Sequence, residues 1–134
     1  MDRIFIDANV LFSATYRPNS ALLRLWKLKG TTLCSSRHAL EEARINLTDR
    51  KQKDRLERLG RNIEFFDAVG DLPPGIDLPS KDVPILLAAI EAHASHLLTG
   101  DRRHFGSYFG RRLIGILVQL PGDYLDCKDA DSSR

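Results

Sequence analysis

Cysteine is scarce: Cys34 and Cys127 are the only two in 134 residues, neither in CxxC spacing nor beside a histidine at ligand spacing. A disulfide scaffold and a structural zinc site are therefore not expected, and a reducing cytoplasm is. Long apolar runs are also missing. The longest mostly apolar stretch, Val83 to Ile90, falls far short of the ~20 residues that span a membrane, so no membrane partner is expected. The opening residues Met1-Asp-Arg-Ile-Phe-Ile-Asp7 show no basic segment followed by an apolar one, and no signal peptide is read there. Excess charge of one sign is absent too. Twenty Lys+Arg against 18 Asp+Glu leave +2, which by itself does not mark a nucleic-acid binder. A chain of this length buries roughly 70% of its unfolded surface and makes one domain. That domain is set at residues 1–125, with a polar tail over 126–134 expected to be disordered.

What is present is an alternation of elements. Ile4-Phe5-Ile6, ending at Asp7, reads as a buried strand, followed by a helix start over Ala8 to Ser13 and a break at Pro18-Asn19-Ser20. Leu22, Leu25, Trp26 and Leu28 give the next helix a core-facing stripe, which Gly30 stops. Thr31 to Cys34 is a second strand, with Ser35 or Ser36 capping the helix after it. Arg37 to Gly60 is helical and increasingly charged, in two helices meeting near Leu47-Thr48-Asp49. Asn62 to Phe66 alternates as a third strand, and Asp67 to Pro79, with three prolines and two glycines, is the longest loop. Val83 to Ala94 is an apolar helix, and His96 to Thr99 and Leu113 to Val118 complete five strands. This alternation predicts a three-layer α/β sandwich around a central parallel sheet of about five strands. Such sheets bind ligands outside the carboxyl ends of their strands.

Two acids fall at those ends: Asp7 directly after the first strand and Asp101 two residues after the fourth. Two more stand at or near helix starts, Glu41 or Glu42 and Asp82. Singly, each has an ordinary explanation, since acids at helix N-termini contribute about 0.5–2 kcal/mol. Together they would converge on one site. Two unit charges ~4 Å apart repel by about 4 kcal/mol at an effective dielectric of 20, a cost that a hard divalent cation removes. Such an ion also activates water for attack on a phosphodiester.

These residues resemble a family. Ile4-Phe-Ile-Asp7-Ala-Asn9-Val-Leu-Phe-Ser13 is similar to the opening motif of PIN-domain nucleases, including the VapC-type toxins. Ser36-Arg-His-Ala-Leu-Glu-Glu42 resembles the second motif, Asp82-Val-Pro-Ile-Leu-Leu-Ala-Ala the third, and Leu98-Thr99-Gly100-Asp101-Arg-Arg-His104-Phe105 the fourth. The resemblance runs from about Arg3 to Leu125. It implies a metal-dependent endoribonuclease acting on single-stranded or structured RNA, with sheet order 3-2-1-4-5 and Mg²⁺ or Mn²⁺ as cofactor. Asp7, Glu42, Asp82 and Asp101 would be the acidic, metal-binding set, with Asn9 and Thr99 orienting it. Toxin members imply a cognate antitoxin protein as partner, and the family's frequent dimerisation implies a homodimer. At His104 many members carry another acid, so the resemblance does not fix one metal ion or two.

Helical geometry addresses the glutamate pair. The apolar face built by Ala39, Leu40, Ala43 and Leu47 lies roughly 115° from Glu42 and roughly 145° from Glu41, which favours Glu42 in agreement with the motif. Basic residues cluster twice. Arg44 to Arg61 holds seven, against Asp49, Asp54 and Glu57; Arg102, Arg103, Arg111 and Arg112 form the second group, interleaved with Phe105, Tyr108 and Phe109. The second cluster is expected to hold backbone phosphates, with an exposed aromatic stacking a base. Two other readings are a PIN-fold RNA-binding or scaffold protein without catalysis, and a haloacid-dehalogenase-like phosphatase. The latter wants a second acid two residues after Asp7, where Asn9 stands.

Overall fold

Ile4, Phe5 and Ile6 are all fully buried. Consecutive strand residues point to opposite faces, so β1 (Asp2–Ile6) is covered on both sides. In the computed structural model, which describes residues 1–132 except the side chains of residues 104, 131 and 132, β1 is central. It pairs in parallel with β2 (Thr31–Ser35) on one side and with β4 (His96–Leu98) on the other. Beyond β2 lies β3 (Glu64–Phe65). Beyond β4 lie β6 (Ile116–Gln119) and then β5 (Arg112–Leu113), giving the order β3-β2-β1-β4-β6-β5.

The five parallel strands keep the predicted order, with one correction. Leu113 to Val118 is not a single strand. Ile114 and Gly115 both have positive φ, 54° and 77°, as the central pair of a type I′ hairpin turn requires. The segment therefore folds back on itself, and β5 becomes a sixth, antiparallel edge strand.

Among the described residues six α-helices flank the sheet: α1 (Ala8–Tyr16), α2 (Arg37–Asn46), α3 (Arg50–Gly60), α4 (Val83–Glu91), α5 (Arg102–Phe105) and α6 (Pro121–Ser132). Ser36, not Ser35, caps α2 by accepting from Ala39 N at 3.0 Å; Ser35 Oγ instead donates to Ile6 O at 2.7 Å, stitching β2 to β1. Asp49 and Gln52 form a reciprocal capping box that separates α3 from α2. The α1 carbonyls left open at its C-terminus are met from α3: Arg55 Nε donates to Thr15 O at 3.0 Å and Gln52 Nε2 to Tyr16 O at 3.1 Å. Part of the first basic cluster is thus structural. The segment around Leu22 is a 3-10 helix, Ala21–Lys27, with Leu25 buried and Trp26 Nε1 donating to Leu59 O at 3.1 Å.

The tail differs from the expectation of disorder. From 126 onward the chain continues α6 as far as Ser132; residues 133 and 134 lie outside the described residues. Long-range partners hold this helix. Lys128 Nζ pairs with Asp2 at 2.8 Å, Arg24 with Asp129 at 2.5 Å, and the buried Tyr124 donates its hydroxyl to Asp2 Oδ2 at 2.6 Å. Among the described residues no helix is long and apolar enough to cross a membrane.

From β1 the chain winds outward through β2 and β3, then returns to lay β4 and β6 on the other side. The order therefore reverses between β1 and β4. In open parallel sheets the crevice at the carboxyl ends of such a strand pair is where ligands bind.

Candidate active site

Asp7 leaves β1 at that crevice and caps α1, its Oδ1 accepting from Ala8 N at 2.7 Å. Its Oδ2 accepts from Thr99 Oγ1 at 2.8 Å, where Thr99 directly follows β4. Asn9 completes the link. Its Nδ2 lies 3.2 Å from Thr99 Oγ1 and 3.4 Å from Asp7 Oδ2, and its Oδ1 accepts from Gly100 N at 2.8 Å. Thr99 Oγ1 also accepts from Asp101 N at 3.1 Å. The fully buried threonine thereby holds both aspartates' segments together.

Asp7, Glu42, Asp82 and Asp101 line one cleft of about 550 Å³. Asp82 is buried, and its side chain makes no capping hydrogen bond to α4; simple helix capping does not account for it. Burial raises the pKa of Asp7, and the charges of Asp82 and Glu42 raise it further, against the opposing hydrogen bonds from Thr99 and Ala8. Glu42 faces the cleft. Glu41 does not line it, and pairs instead with Arg44 one turn along.

The donor set is wholly anionic oxygen, the chemistry that hard divalent cations take. Among the described residues no three His, Cys, Asp or Glu already stand grouped as metal ligands. An ion held by one or two carboxylates with retained water is the coordination Mg²⁺ ordinarily adopts, and the residues fit it in that sense.

The basic cluster expected around the aromatics is arranged differently. Arg102, Arg103, Arg111 and Arg112 are exposed and none lines the cleft; Arg102 borders a separate hollow with Phe109 and Asp123. Phe105 is fully buried, so it is core and not a stacking platform. Tyr108 is engaged with the long loop, its hydroxyl accepting from Asp77 N at 3.2 Å. His104 stands in α5, and its side chain lies outside the described residues.

Sequence reasoning missed three polar residues that line the cleft: His38, Asn46 and Lys81. A signal for the first two was available, since His38, Glu42 and Asn46 stand at i, i+4 and i+8 along one face of α2.

A family model described as PIN domain matches residues 3–103. No curated protein matches the chain. Among solved structures, a chain from "Structure of FitAB bound to IR36 DNA fragment" aligns with a TM-score of 0.51 at 19% identity, covering 88% of this chain and 94% of that one. That likeness concerns the fold.

Proposed function

The chain belongs to the PIN-domain family, and on that premise we propose that it is a metal-dependent endoribonuclease acting on single-stranded RNA, the toxin of a toxin–antitoxin pair. One observation carries the proposal. Four carboxylates from four separate segments, Asp7, Glu42, Asp82 and Asp101, meet in one cleft at the point where the strand order reverses. One or two of these carboxylates, with retained water, would hold a Mg²⁺ or Mn²⁺ ion, which when bound neutralises phosphodiester charge and activates water. Thr99 and Asn9 fix the orientation of the Asp7 carboxylate, and Gly100 N fixes that of Asn9. Arg102, Arg103, Arg111 and Arg112, exposed outside the cleft, would hold backbone phosphates further along the strand, without reading its sequence.

The other readings have less to rest on. A phosphatase needs a second acid at position 9, where the Asn9 amide is committed to Thr99 and Gly100. A scaffold without catalysis has no need of carboxylates buried next to one another. The test is cleavage of labelled single-stranded RNA with Mn²⁺, with Mg²⁺ and with EDTA. Single-stranded DNA runs in parallel, because the similar solved structure holds a DNA fragment. Metal-dependent RNA cleavage that disappears in Asp7→Asn is expected; no cleavage under any metal would favour the scaffold.

A further inference from the structure

We infer that Lys81 is the residue that binds phosphate within the cleft, contacting the RNA backbone beside the four carboxylates; this rests on the nuclease reading above. An RNA strand approaching Asp7, Glu42, Asp82 and Asp101 meets negative charge of its own sign, so a cation on the same wall is needed to hold it. The four arginines do not line that wall. Lys81 does, and it is exposed. The ion pairs between described residues do not include it.

Its position is fixed by the backbone. Asp82 N donates to Pro79 O at 2.9 Å, closing a turn in which Ser80 and Lys81 are the central residues. The turn is anchored on both sides. Leu78 packs against the core before it, and the buried Asp82 opens α4 after it, with Pro84 in the first helical turn. The preceding loop is pinned where Tyr108 meets Asp77. A long flexible ammonium on a rigid base, at the rim of a carboxylate-lined cleft, suits a phosphate contact that positions the strand and reads no base.

The experiment measures binding of a fluorescent single-stranded RNA oligonucleotide in EDTA over a series of salt concentrations, together with Mn²⁺-dependent cleavage. Lys81→Gln is expected to bind about tenfold more weakly, with the slope of log K against log salt reduced by about 0.7. KM should rise while kcat is retained, and the Mn²⁺-induced rise in melting temperature should persist. Lys81→Arg should restore binding, because the contact is one of charge. A Lys81→Gln protein with unchanged affinity and salt slope overturns the assignment while leaving the nuclease reading intact. A wild-type protein that neither binds nor cuts RNA overturns both.

Discussion

The Thr99 hydroxyl donates to Asp7 Oδ2 at 2.8 Å, joining the carboxyl ends of β1 and β4 across the reversal in strand order. Thr99 is fully buried and has no solvent to replace the bond. Thr99→Val keeps the shape and removes the oxygen, leaving Asp7, Asp101 N and Asn9 Nδ2 each short of a partner. Buried groups left unsatisfied cost about 1–3 kcal/mol, and loss of an orienting partner costs about 10–100-fold in activity or metal affinity. Thr99→Val should therefore fold with a lowered melting temperature and need more Mn²⁺ for half-maximal cleavage. A metal requirement identical to wild type would show that the threonine does not orient Asp7.

Asp7 itself links pH and metal. Its pKa is raised, mainly by burial, so its contribution to stability is fully present below the ordinary value of 3.8 and is lost as pH rises through the raised folded value. The metal-free protein loses that contribution as pH rises, and a bound cation offsets the loss. A cation at about 100 times its Kd adds about 2.7 kcal/mol of stability. Calorimetry at pH 7 should show Mn²⁺ raising the wild-type melting temperature and EDTA lowering it. Asp7→Asn should be insensitive to both. Metal-free Asp7→Asn should also gain on wild type between acid and neutral pH; the opposite trend would mean that the carboxylate is not held at a cost.

That these acids would share one cleft was legible in the sequence because they lie beside strong local signals. Asp7 ends a three-residue apolar run, and Asp101 comes after β4, a threonine and a glycine. The features that were not legible depended on partners far along the chain. The α6 extension is tied to Asp2 and Arg24, each more than 100 residues away. Phe105 and Tyr108 look like exposed aromatics among arginines until the sheet and the long loop close over them. The β5–β6 turn hides in an apolar run, where Gly115 was its one visible mark. Lys81 escaped because a lysine at the end of a long loop carries no periodic signal.

The glutamate pair gives a test of side-chain placement. Glu42 lines the cleft and Glu41 is exposed and engaged with Arg44. Removing one preorganised charge from a reacting site costs about 10²–10³ in kcat. Glu42→Gln should fall by that order, and Glu41→Gln should stay close to wild type, measured on the same RNA. Equal losses would mean that α2 presents a different face to the substrate.

The opposite end of the sheet predicts how stability falls in acid. His96 lies against Tyr124 with ring centroids 4.9 Å apart, and Tyr124 donates to Asp2, which also pairs with Lys128. Burial lowers the pKa of His96, with Lys128 and Arg112 adding to the effect and Asp2 opposing it. A lowered folded pKa means that the unfolded chain binds the proton first. The contribution of His96 is therefore fully present above its ordinary 6.5 and lost as pH falls through the folded value. Asp2 acts lower on the scale. Burial pushes its carboxyl up, but the hydrogen bonds from Lys128 and Tyr124 and the charges of His96 and Lys128 together hold the pKa below 3.8, so its contribution is fully present above 3.8 and lost as pH falls through the lowered value. Apart from the Asp7 contribution, which runs the other way, melting temperature against pH should fall in two stages, one starting near neutrality and one in strong acid. His96→Gln should flatten the first and, by removing a charge that helps to lower the Asp2 pKa, weaken the second; Asp2→Asn should abolish the second and, by removing the charge that opposes the His96 shift, deepen the first. Neither should alter the Mn²⁺-induced shift, since both residues lie at the far ends of β1 and β4 from Asp7 and Thr99. A His96→Gln protein that keeps the full decline between neutral pH and about pH 5 would place that titration on another residue.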